Sequence, residues 1–520
     1  MVIIRRMSST GESPSSQIGR AAGVVMAGFV LSNLAGLFRQ ILTSRAFGTS
    51  FEIDAFNAAA RLPETLFSLV AGGALASAFI PTFTGLLLRQ DRHSAWELAS
   101  AVLNLVSLLL AAASLLAAIF AEPIVAGLLA PRFPPAQQAL TVSLLRILLI
   151  SPAIFGISGL LMGILNSHQH FLLPALAPSL HWAGWIVGLI FLVPRYGIYG
   201  LAWGAVLGAG LHLVVQLPGL RVLNANYHFS FGWSDPLVRS VARLMGPRVF
   251  GAAVVQLNFW VNVILASGMP EGSLTALAYA FAIMTMPQVV IAQALAIAAL
   301  PTFSAQAARG ELPEMRRALA ATLRGALLLS VPAAAGLIVL RYAIVAMLFQ
   351  RGEFDFHSTD LVAQALLWFT VGLVSHAVVE IVSRAFYALQ DTRTPVTIGA
   401  AAMGINVGLS LILSSWFSRL GLFPHAGLAL ANSLATTLEM IALLVVMRRR
   451  LGGLEGRRVL GTLVKALAGS LLLYAAVRFW LVFAYDRWLA GLGGVAIGLV
   501  LYGAAMVVLK VEELRRFFRK

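Results

Sequence analysis

The chain of 520 residues contains no cysteine. That excludes disulfides, thiol catalysis and thiolate metal sites. Charge is also scarce: only 11% of residues are Asp, Glu, Lys or Arg, where a soluble domain carries about 25%. With 59% hydrophobic residues and a mean hydropathy of +0.87, the chain could not cover the surface of a soluble fold. The Gly-rich phosphate loop ending in Lys-Ser/Thr is missing, so ATP is not the driver within this chain. No convergent catalytic set is visible, which argues against an enzyme. The short alternating strands and aromatic girdles of an outer-membrane barrel are absent too. What recurs from end to end is apolar runs of about 20 residues, the pattern of an all-α polytopic membrane protein.

The formal net charge of +16 invites a nucleic-acid reading, but the basic residues sit in short loops between apolar runs, where they set topology. No soluble module presents a basic face, so no nucleic-acid partner is expected. The spacing predicts fourteen spans, an even number, so both termini lie on one side. The loops of the opposite side hold only Arg45, Arg132, Arg195, Arg341, Arg351, Arg419, Arg478 and Arg487 out of 37 Lys and Arg. The positive-inside rule therefore puts both termini in the cytoplasm. The first run is long and carries Asn33 and Arg39, which reads as a retained span rather than a cleaved leader. The expected organisation is a tail at 1–17, a first lobe of six helices at 18–220, a second at 237–450, two further helices at 459–510 and a basic amphipathic tail at 511–520.

The lobes are expected because the chain repeats itself at nearly half its length. Pro63 is echoed by Pro287. Ile80-Pro81-Thr82-Phe83 is echoed by Leu300-Pro301-Thr302-Phe303, and Gly200-Leu201-Ala202 by Gly427-Leu428-Ala429. Six spans separate equivalent helices, so the halves share one orientation, as in carriers built of parallel repeats.

Polar residues interrupt this apolar background in periodic stripes. On the first span Ser32, Asn33, Gly36, Arg39, Gln40 and Thr43 recur at helical steps. On the second Asn57, Arg61, Glu64, Ser68 and Gly72 do so, with Asp54 at the mouth. Each set falls on one helix face. Lipid cannot solvate such a face, so it meets other helices or water. Two readings follow: a self-satisfied ion-pair network, or a cavity wall built for an anionic substrate, for which the forked guanidinium suits phosphate. His376, Glu380 and Arg384 form a second charged stripe, either a gate or a structural network. Asn258, Asn262, Asn406, Asn432 and Glu439 are oxygen-bearing groups of the second lobe. They read as ligands of a monovalent cation or as interhelical hydrogen-bond glue, and Asp391 joins the candidate ion ligands. Gly159/Gly163 and Gly204/Gly208 read as close-packing sites.

Several motifs carry a family resemblance. The segments Arg45-Ala46-Phe47-Gly48, Asp54-Ala55-Phe56, Arg61-Leu62-Pro63, Ala78-Phe79-Ile80-Pro81, Phe386 to Pro395 and His425-Ala426-Gly427-Leu428 resemble the MurJ/MviN family across nearly the whole chain. The resemblance implies fourteen helices around a V-shaped cationic cavity, in the multidrug/oligosaccharidyl-lipid/polysaccharide exporter superfamily. It implies a flippase of the bacterial cytoplasmic membrane that moves lipid II, an undecaprenyl-diphosphate-linked peptidoglycan precursor, by alternating access. It implies membrane lipids and the cell-wall synthesis machinery as surroundings, a monomer, no bound cofactor, and a membrane potential or monovalent cation gradient as driver. Arg39 and Arg61 match family arginines and are expected on the substrate, with Asp54, Glu64, Asn33 and Asn57 beside them. Asn33, Phe67 and Ala282 stand where further cavity arginines are expected, Gln40 where an acidic residue is expected and Gly72 near the place of a glutamate. Alternatives are a flippase of another lipid-linked oligosaccharide, an exporter of amphipathic molecules, or a non-transporting scaffold for envelope synthesis.

Overall fold

A computed structural model describes residues 14–70 and 74–511. The N-terminal tail through residue 13, Gly72 and the basic tail at 512–520 lie outside the described residues. The described chain is helical from end to end. Eleven of its helices are long and apolar enough to cross a membrane, or twelve when the bent pair Phe356–Val371 and Leu373–Ala388 counts as one span. Two of the fourteen expected spans are not among these. The stretch from Phe51 to Leu88 comprises Phe51–Val70, which carries Glu52, Asp54, Arg61 and Glu64, and the shorter Ala74–Leu88. The Pro236–Ala266 helix begins with Arg239, Arg243 and Arg248. Both are helical as expected; charge dilutes the apolar run of the first, while the second continues past its arginines into an uncharged stretch at 249–266.

The chain divides into two compact units, 51–257 with the N-terminal segment through Phe47, and 258–520 together with Gly48–Ser50. The division falls within the Pro236–Ala266 helix, some twenty residues later than the lobe boundary expected from the sequence.

In the first unit Phe79 and Phe83 sit at the centre of a core with Trp96, Leu98, Leu110, Leu160 and Ile164. Asp91 caps the Arg92–Ile119 helix by accepting from the Ser94 amide at 3.0 Å. The helices Leu172–Val187 and Ile198–Val214 approach so closely at their glycines that no Cβ fits there. A Cβ on Gly184 would lie 2.3 Å from Gly208, and one on Gly188 would lie 2.5 Å from Gly204. The Gly204/Gly208 pair is thus a close-packing seam, the use to which small residues are put in membranes.

In the second unit Phe303 centres a core with Met315, Leu319, Ile381, Phe386 and Met447. The Gly456–Phe483 and Gly494–Val508 helices pack on the long Leu312–Phe349 helix through two smaller clusters, and the Tyr502 hydroxyl donates to the Leu328 carbonyl at 2.7 Å. Gly427 meets the backbone of Leu413 at 2.6 Å from its would-be Cβ. Its counterpart in the first unit, Gly200, meets the backbone of Leu192 at 2.5 Å.

Candidate functional site: an arginine cage in the first unit

Arg39 lies eight residues before the end of the Pro14–Phe47 helix, about 12 Å along it, and Arg61 lies ten residues, about 15 Å, into the Phe51–Val70 helix that returns. The two cations therefore stand at similar depth. Both helices are helical by ordinary propensity, and Pro63 is the one breaker inside the second.

The surroundings of Arg39 come from a third helix, Leu172–Val187. Its guanidinium carbon stands 4.8 Å from the centre of the Trp182 ring and 4.7 Å from that of Trp185. The two indoles are themselves 6.0 Å apart at 62°. The Trp182 Nε1–H donates to the Ser32 hydroxyl at 3.2 Å, and Phe56 meets Trp185 edge-on at 5.4 Å. Three helices thus converge on one guanidinium. An indole face attracts a cation through its quadrupole, by about 2 kcal/mol when water is excluded. Beyond the cage the rings continue: Phe155 contacts His181, His212 and Phe67 at 5.1, 5.4 and 4.7 Å. His212 Nδ1, the Ser158 hydroxyl at 2.6 Å and Gln216 Nε2, itself 2.7 Å from Ser158, close a buried polar knot behind them.

Each of the other stripe residues has a definite place. Arg61 donates to Glu64 at 3.1 Å, with Arg61 26% and Glu64 59% exposed. Asp54 is buried in the first turn of its helix, where a carboxylate suits the helix N-terminus, and Asn57 is half-buried. Asn33 is exposed and its amide turns back to the Phe29 carbonyl at 2.8 Å. Gln40 and Thr43 are buried, and Thr43 donates to the Arg39 carbonyl. Ser68 accepts from Gln256 at 2.7 Å. Phe67, standing where an arginine is expected, belongs to the ring cluster, and Ala282 is half-buried in its own unit.

The second unit uses its polar residues differently. Glu380 and Arg384 pair at 2.8 Å. His376 Nε2 lies 3.2 Å from Asn432 Oδ1, and Ser375 and Thr437 hydroxyls meet at 2.9 Å. These contacts join the Leu373–Ala388 helix to the Pro424–Arg450 helix. Asn406 is buried and Asn262 half-buried, while the side chain of Asn258 lies outside the described residues. Asp391 sits in the loop before the Arg393–Arg419 helix. It accepts from the Thr394 amide at 3.0 Å and hydroxyl at 2.6 Å, and pairs with Arg450. Those hydrogen bonds, the side-chain one first, hold its carboxyl below the usual carboxylate range. It is a helix cap at the membrane edge, set apart in role from the asparagines within the spans. Among the described residues no three His, Cys, Asp or Glu cluster as metal ligands would.

Sequence reasoning missed Trp182 and Trp185. Both stand near the middle of the Leu172–Tyr196 span, where nothing local marks an indole as a cation's neighbour. The signal that was present is the spacing of three, which puts both indoles on one face beside His181.

A sequence model of the family described as "Lipid II flippase MurJ" matches residues 43–493. A protein described as "Lipid II flippase MurJ" from Burkholderia cenocepacia is 31% identical over 435 residues, 82% of this chain and 83% of that one. A "Probable lipid II flippase MurJ" from Bdellovibrio bacteriovorus is 27% identical over 512 residues, 96% of each chain. Among solved structures, "Lipid II flippase MurJ, inward closed conformation" superposes with a TM-score of 0.81 at 24% identity, over 95% of this chain and 99% of that one. An inward-facing multidrug resistance MATE family transporter of the MOP superfamily gives 0.68 at 17% identity, over 82% and 96%. These two likenesses show the fold. Taken with the family match over most of its length, they place the chain: it belongs to the lipid II flippase MurJ family.

Proposed function

We propose that the chain translocates lipid II across the bacterial cytoplasmic membrane by alternating access, with both termini in the cytoplasm. The observation that carries the site assignment is the Arg39 cage. A guanidinium at membrane depth is costly, roughly 2.5–3.5 kcal/mol on insertion scales, and here three helices are committed to holding one in place. Arg39 and Arg61 contact the diphosphate, for which a planar fork offers two parallel hydrogen bonds. Glu64 and Asp54 orient them or take them back as the site empties, and Asn33 and Asn57 border the same wall. A membrane potential or a monovalent cation gradient drives the cycle, with Asn262 and Asn406 among the candidate ligands and the His376–Glu380–Arg384 stripe as gate.

The test is growth rescue in cells depleted of their own lipid II flippase. The intact chain should restore growth, and Arg39→Ala and Arg61→Ala should abolish rescue while inserting normally. Full rescue by both variants would sink their assignment. A second reading, a flippase of another polyprenyl-diphosphate glycan, is favoured by Phe67: where an arginine is expected, a ring packs on Phe155 at 4.7 Å. That reading predicts no rescue by the intact chain, together with release of a different lipid-linked glycan from vesicles that contain it.

A further inference from the structure

The second unit holds a groove of about 640 Å³ that the flippase reading leaves unused. Its walls come from four helices, with Leu323, Val378, Met440, Leu444 and Leu460 among the apolar lining, and Arg448 and Arg457 at one end. Met440 and Arg448 are eight residues apart on one helix, which makes the groove about 12 Å deep. That is close to the half-thickness of a hydrocarbon core about 30 Å across. Its depth therefore matches a single leaflet, on the side where both termini lie.

The charges around the mouth are sorted. Arg450 is paired with Asp391, and Arg324 and Arg458 both reach Glu455, at 3.6 and 3.3 Å. Arg316 donates to the Gly452 carbonyl at 3.3 Å. Glu455, the one carboxylate of the lining, is thus already neutralised. The Arg448 and Arg457 side chains are exposed, and their guanidiniums have no hydrogen-bond or ion-pair partner among the described residues. The turn between them passes through Gly452 and Gly453 at φ +64° and +137°, folding the chain back so that both guanidiniums reach one mouth.

We propose that this groove binds an anionic glycerophospholipid of the terminal-side leaflet, its phosphate between Arg448 and Arg457 and one acyl chain along the apolar wall. Two unneutralised guanidiniums above a one-leaflet apolar slot complement that molecule in charge and in length. A polyprenyl chain is far longer than the slot, and a zwitterionic lipid leaves the two cations incompletely matched. The site is independent of what the chain transports.

Native mass spectrometry of the full chain, delipidated in detergent and titrated with phosphatidylglycerol or phosphatidylcholine, reads the site directly. Phosphatidylglycerol should bind more tightly than phosphatidylcholine. The double variant Arg448→Gln/Arg457→Gln should weaken phosphatidylglycerol by roughly tenfold or more, at about 1 kcal/mol per basic residue, and leave phosphatidylcholine unchanged. Leu444→Trp, which fills the slot and keeps both arginines, should also lose phosphatidylglycerol, and Arg449→Gln should not. Melting temperatures in lipid-free detergent identify any variant that fails to fold, and the Arg and Trp arms then stand in for each other. Equal binding of the two lipids, or unchanged phosphatidylglycerol binding in both arms, overturns the proposal. So does one-for-one displacement of phosphatidylglycerol by a polyprenyl diphosphate that needs the same two arginines, which would assign the groove to the substrate.

Discussion

Phe83 and Phe303 occupy corresponding places in the two repeats, and neither exposes any surface. Gly200 and Gly427 correspond as well, each pressed against the backbone of the preceding helix. At these positions the two units solve one packing problem in one way. Their half-buried charges part company. In the first unit a guanidinium lies across two indoles. In the second, Arg384 is bound to Glu380 one turn away. The repeat thus keeps what packs and lets diverge how its helices hold charge.

The equivalence of the cores can be broken directly. Phe83→Ala and Phe303→Ala should each cost about 3 kcal/mol, toward the lower end for buried aromatics. Lipid is as apolar as the ring, so packing rather than transfer is what is lost. Thermal unfolding in detergent should show equal shifts, and a clear inequality would mean that the two cores are not equivalent. Gly200→Ala and Gly427→Ala should come next, at about 2 kcal/mol each by overpacking, read by the same scans. The smallest effect should separate the units. Asp91 caps its helix with one amide bond, while Asp391 has an amide, a hydroxyl and Arg450. A carboxyl held low in the folded state contributes stability above its unfolded value and loses it as pH falls through the lowered one. Acid titration of the melting temperature should therefore drop below the ordinary carboxylate range, and Asp391→Asn should flatten that drop more than Asp91→Asn.

Much of this was legible in the sequence because membranes simplify the problem. Among the described residues the apolar stretches read from the sequence are helical, since lipid permits little else. The Phe83/Phe303 and Gly200/Gly427 echoes were visible as letters and recur as matched contacts. The stripes on the first two spans were visible because charge stands out against leucine. What could not be read was who answers the stripe. Trp182 and Trp185 are some 140 residues from Arg39, and no local period links them. Asp391 was drawn toward the asparagines by its chemistry, while its actual neighbour, Arg450, comes from the far end of another helix. The unit boundary within Pro236–Ala266 has no sequence mark at all, because that helix runs through it without a break.

The glycine seam has a mechanical consequence. Where Gly184 and Gly188 face Gly208 and Gly204, the backbones meet, with the side chains of His181 and Trp185 held against Gly208. Two rods joined backbone to backbone turn as one lever. Trp182 and Trp185 ride on that lever, one turn or less from the weld, so any swing of the Ile198–Val214 helix is delivered to the Arg39 guanidinium with little slack.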